Sequence, residues 1–133
     1  MPYLIGIVLA LAVGALGTLV RYDRDRAYYS TILMVVACFY ALFAVMGGSS
    51  RALLVESIGI TGFFVLAAVG FRRSMWLVAA GLVGHGVFDA FHHRLIANPG
   101  VPAWWPAFCG SFDVAAGIYL AFLLRRDRPA HSP

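Results

Sequence analysis

Three histidines and one acid lie within nine residues: His85, Asp89, His92 and His93. The residues before them, 75–84, are wholly apolar or small. A helix turns about 100° per residue, so positions i, i+4 and i+7 share a face. With His85 at zero, Asp89 lies near +40°, His92 near −20° and His93 near +80°, all about, by that same step. Imidazole and carboxylate are the ligand set of zinc and other first-row divalent ions. A metal-bound water has a lowered pKa and attacks esters or amides. Without a metal, a histidine beside a carboxylate titrates near neutrality and moves protons. His85, Asp89 and His92 are therefore the candidate metal ligands. His85, Asp89, Glu56 and Asp113 are the candidate acid–base residues. His93, at the edge of the stripe, is expected outside the site.

The setting for this stripe is a membrane. The chain has 133 residues, enough for one domain, and is 62% hydrophobic with 12% charged residues. A soluble domain has about 45–50% apolar and about 25% charged residues. The mean hydropathy of +0.84 agrees with the same reading. The apolar runs are continuous rather than alternating, which excludes a β-barrel pattern and leaves helices, whose backbone is satisfied within one segment. Five runs stand out, at about 3–20, 28–45, 52–71, 75–91 and 107–124, each near the roughly 17–25 residues a span needs. The expected fold is an all-α bundle of five transmembrane helices forming one domain. No internal repeat is read.

The ten basic residues are all arginine and give a net charge of +4. They lie between the runs, so topology explains them better than nucleic acid does. Eight fall after the first, third and fifth runs; Arg51 and Arg94 fall on the other side. Arginine excess marks the cytoplasm. The expectation is a multi-pass protein of a bacterial inner membrane, N-terminus outside and C-terminus in. Three arginines follow the first run and none precedes it, which argues against a signal peptide. Cys38 and Cys109 have no metal-type spacing and are expected as free thiols.

This topology puts the acids in one layer. At about 1.5 Å per residue, Glu56 lies some ~6–8 Å below the outer surface, Asp113 ~9–13 Å and Asp89 ~9 Å. An ionisable group within a span is costly and marks function by default. The loop 94–106 holds three prolines and the pair Trp104-Trp105, and is expected as an ordered cap with an interfacial anchor. Gly6, Ala10 and Gly14 make a small-residue face on the first run, and Gly59 and Gly62 another on the third. Both suit close helix packing or a homo-oligomer.

The stretch Gly84-His85-Gly86-Val87-Phe88-Asp89, together with Asn98-Pro99-Gly100-Val101-Pro102-Ala103-Trp104-Trp105-Pro106 and Asp113, resembles a small bacterial integral membrane family of unknown function. The resemblance covers most of the chain and implies no activity. The pair His85 and Asp89 is similar to the His-x-x-x-Glu pair of the emopamil-binding-protein sterol isomerases. That likeness implies proton transfer on a buried lipophilic substrate. Here the acid is shorter and the pair sits on the fourth run. Intramembrane zinc hydrolases of the alkaline ceramidase type also use His and Asp near one face. Three functions remain open: a metal-dependent or acid–base enzyme on a lipid-like substrate, a transporter of small molecules, protons or metal ions, and an accessory subunit.

Overall fold

The structure is a computed structural model that describes residues 1–126. Arg128, counted with the C-terminal arginines, and the tail 129–133, expected to fray, lie outside the described residues. Five helices follow one another: α1 (Pro2–Val20), α2 (Ala27–Met46), α3 (Ser50–Arg73), α4 (Met75–Leu95) and α5 (Trp105–Arg126), with a 3₁₀ turn at Tyr22–Arg24. There is no strand among the described residues. The chain is an all-α five-helix bundle.

Local chemistry sets the boundaries. Ser49 caps α3 by accepting the Ala52 N–H at 3.0 Å, and Ser74 caps α4 by accepting that of Trp76 at 3.3 Å. Each satisfies a backbone donor that the first helical turn leaves free. α3 continues through Arg72 and Arg73, so Ser74 alone separates it from α4. Gly48 adopts φ 70° in the turn after α2, a left-handed conformation that suits glycine. α5 begins at Trp105, with Pro106 in its first turn, where a missing N–H costs nothing.

α1, α2, α3 and α5 are each long and apolar enough to cross a membrane. α4 has the length, 21 residues, but carries Asp89, His92, His93 and Arg94. It packs against α5 and α3 and also touches α2. Nine of its 21 residues are buried, as are nine of the 22 in α5, against four of the 24 in α3. The bundle thereby keeps Asp89 and His92 from lipid, while His93 and Arg94 are exposed.

α1 lies against α5. Its buried residues are Gly6, Ala10, Gly14 and Gly17, and the remaining apolar side chains face outward. A Cβ at Gly6 would come 2.1 Å from Ser111 Oγ and 2.3 Å from the Phe108 carbonyl. This small face is therefore spent within the chain. Gly62, by contrast, has nothing within 4 Å of its Cβ position.

Trp105 is buried and packs its ring 4.9 Å from both Phe39 and Phe43. It is a core residue; only Trp104, 54% exposed, keeps the position of an interfacial anchor. The loop before α5 is pinned to the end of α2. Gly100 lies so close to Phe43 that a Cβ would meet the Phe43 carbonyl oxygen at 1.7 Å.

Candidate functional site

α4 and α5 meet backbone to backbone. A Cβ at Gly86 would lie 2.8 Å from the Gly110 carbonyl oxygen, and one at Gly110 would lie 3.3 Å from that of Gly86. Before each glycine stands a side chain of a type that can ligate a metal, and three residues beyond is an aspartate. The segments read His85-Gly86-Val87-Phe88-Asp89 and Cys109-Gly110-Ser111-Phe112-Asp113. This five-residue likeness is present in the sequence, and the packing of α4 on α5 brings its two copies together. The i, i+4 spacing puts donor and aspartate on one face of each helix, and the two glycines let those faces approach.

The result is a buried group of four. One ligand atom each from His85, Asp89, Cys109 and Asp113 lies within 4.8 Å of every other. His85 Nδ1–H donates to Asp113 Oδ2 at 2.6 Å and stands 3.4 Å from Asp89 Oδ2. The Cys109 thiol points at the same Asp113 oxygen, 3.7 Å away. Asp89 and Asp113 are both 0% exposed. Each has a buried oxygen without a hydrogen-bond partner, Oδ2 of Asp89 and Oδ1 of Asp113. Unpartnered carboxylate oxygens at such depth are costly.

A second group adjoins the first. His92 Nε2–H donates to Glu56 Oε2 at 2.5 Å. Asn98, from the loop, donates to the same oxygen at 2.8 Å and to the Tyr40 carbonyl at 3.0 Å. Tyr40 of α2 joins the two groups, because its hydroxyl donates to Asp89 Oδ1 while its ring stacks on His92. Aromatic rings close the space around them. Phe63 meets His85 edge-on at 4.6 Å, and Phe88 lies 5.8 Å from His85 and 5.4 Å from His92.

Glu56, His85, Asp89, His92 and Asp113 are thus brought into one connected interior cluster. His92 stands with Glu56 rather than in the group of four, where Cys109 and Asp113 accompany His85 and Asp89. His93 is exposed. Linear reading passes over three residues. Cys109 repeats the His85–Asp89 spacing with Asp113, a signal that was present. Tyr40 and Asn98 carry none, since tyrosine suits a span and asparagine suits a turn.

A cleft of about 1240 Å³ reaches this cluster from the side. α1 and α5 form its walls, and the end of α4 with the following loop forms its head. His92, Asn98 and Gly110 line its inner surface. Gly110 has no side chain, so only backbone separates the cleft from the neighbourhood of Asp89 at that point.

The chain matches no family model, no curated protein and no solved structure.

Proposed function

We propose that this protein is a membrane enzyme whose group His85, Asp89, Cys109 and Asp113 holds a divalent metal, with zinc the best fit, and which acts on a lipid-like substrate. One observation carries this reading. Two fully buried aspartates each keep an oxygen without a hydrogen-bond partner, in a group whose other members are a histidine and a thiol. Buried charges are stable when paired or when they coordinate a metal. A divalent ion would give both aspartates a cationic partner, with His85 and Cys109 as the other two ligands.

The donor chemistry supports zinc. Imidazole and thiolate are softer than the oxygens magnesium and calcium prefer. Ligand atoms about 2.0–2.3 Å from one zinc lie about 3.3–3.8 Å apart in a tetrahedron. The 3.4 Å from His85 to Asp89 and the 3.7 Å from Cys109 to Asp113 already match that spacing, whereas His85 and Asp113, 2.6 Å apart, would have to separate and give up their shared proton. A bound metal supplies Lewis acidity toward a carbonyl and lowers the pKa of a coordinated water. His92, held by Glu56 at the cleft, is the group placed to move a proton to or from a bound substrate.

A second reading has its own support. The hydrogen bond of 2.6 Å between His85 and Asp113 and that of 2.5 Å between His92 and Glu56 already make two acid–base pairs without a metal. Elemental analysis of the purified protein separates the two. The metal reading expects one zinc per chain, lost in both Asp89→Asn and Asp113→Asn while the elution volume stays unchanged. Wild-type protein that carries no stoichiometric metal, and takes up none on zinc titration, leaves the metal-free pairs as the function.

For the location we take the bacterial inner membrane, with the C-terminus in the cytoplasm. The support is the arginine distribution. Seven of the described arginines follow α1 or end α3 and α5, and Arg51 and Arg94 stand at the opposite side.

A further inference from the structure

At the end of the bundle away from the buried cluster, the start of α2 and the end of α3 frame a hollow of about 670 Å³. Tyr40 lies fourteen residues beyond Arg26 along α2 and Glu56 sixteen before Arg72 along α3, so the cluster is about 21–24 Å away along the helix axes. Arg26 and Arg72 both line the hollow, and no aspartate or glutamate lines it. Arg26 reaches across from α2, its Nη1 donating to the Phe71 carbonyl at 2.9 Å and to the Arg72 carbonyl at 3.4 Å. Its Nε and Nη2 have no protein acceptor among the described residues. Neither arginine forms an ion pair with an acid among those residues. The acids nearest in sequence serve their own segments. Asp25 accepts the Ala27 N–H at 2.9 Å, and Asp23 accepts the Thr18 hydroxyl at 2.8 Å. Further into the span the lining turns apolar at Met34 and Ala68. An adjoining hollow, which shares Arg72 and Ala68, adds Arg73.

We propose that this hollow binds one anionic phospholipid, its phosphate between Arg26 and Arg72 and an acyl chain over Met34 and Ala68. A guanidinium stays charged and presents a planar fork that matches phosphate oxygens. Basic pockets between membrane helices at headgroup level take anionic lipids for that reason. A zwitterionic lipid would bring an ammonium group to a lining that offers it no carboxylate. A soluble phosphate would leave the apolar part of the lining bare. In the orientation proposed above, the lipid belongs to the cytoplasmic leaflet. It would tie α2, which carries Tyr40, to α3, which carries Glu56, without touching the cluster or the side cleft.

Native mass spectrometry tests this on the full chain released from detergent, with equal amounts of dioleoyl phosphatidylglycerol and dioleoyl phosphatidylcholine present. Wild type is expected to retain one phosphatidylglycerol about tenfold over phosphatidylcholine, a preference within reach of two arginines at headgroup level. Arg72→Gln, at an exposed side chain, should remove most of that preference, and Arg26→Gln with Arg72→Gln all of it. Arg21→Gln with Arg24→Gln takes the same charge from the same end of the bundle without altering the lining, and should leave the preference unchanged. An equal fall in both double variants reduces the effect to net surface charge and overturns the proposal. A wild type that holds the two lipids alike overturns it too. Glycerol 3-phosphate in large excess should not displace the lipid; displacement means a phosphate site without a chain and rules out the lipid as occupant. Elution volume and helical circular dichroism report folding. Where Arg26→Gln fails them, Arg72→Gln alone against Arg21→Gln alone decides.

Discussion

The ring of Tyr40 lies flat on the ring of His92, centroids 3.9 Å apart and planes 11° from parallel. The hydroxyl of the same tyrosine donates to Asp89. One residue of α2 thus orients the histidine that faces the cleft and satisfies an oxygen of the buried aspartate. Stacking and hydrogen bonding are separable by mutation, and the first prediction uses that.

Tyr40→Phe keeps the stack and removes the donor. Asp89 would then have neither oxygen satisfied by Tyr40, at a cost of about 1–3 kcal/mol for a buried unsatisfied group. The midpoint of thermal unfolding in detergent should fall in Tyr40→Phe and fall further in Tyr40→Leu, which loses the stack as well. A Tyr40→Phe midpoint equal to wild type would mean that another group takes the place of the lost donor at Asp89.

The contact of α1 with α5 makes a paired prediction about two glycines. Gly6→Ala drives a methyl into Ser111 and Phe108, with approaches of 2.1 and 2.3 Å. Overpacking of this kind costs about 1–3 kcal/mol. Gly62→Ala adds a methyl where nothing lies within 4 Å, and should be neutral or stabilising by up to about 1 kcal/mol because alanine favours helix. Midpoints in detergent measure both. Equal behaviour of the two variants would show that α1 does not dock through its small face.

The arginine asymmetry predicts topology. A fluorescent protein that folds only in the cytoplasm, fused after the C-terminus, should be bright. Alkaline phosphatase, active only in the periplasm, should be inactive at the same point and active when fused in the turn at Gly47 and Gly48. The reverse pattern would invert the orientation and put the cleft head on the cytoplasmic side.

Much of this fold is written locally. Backbone groups in lipid must be satisfied within their own segment, so each helix announces itself as an apolar run, and Ser49 and Ser74 mark starts by chemistry confined to a few residues. The costly groups are legible for the same reason. Glu56, Asp89 and Asp113 stand out because a carboxylate in an apolar run has no local compensation. What compensates them is not local. Tyr40 lies 49 positions from Asp89, Asn98 lies 42 from Glu56, and Asp113 lies 28 from His85. Their pairing depends on the order of the helices and the rotation of each about its axis. Close approach at Gly86 and Gly110 sets that rotation for α4 and α5 and so admits Cys109 to the group of four. The small face of α1 is plain in the sequence, and only packing decided that its partner is α5. Trp105 follows the same rule. A tryptophan near a span end suits an interface by its amphipathic ring, but here the rings of Phe39 and Phe43 enclose it in the core.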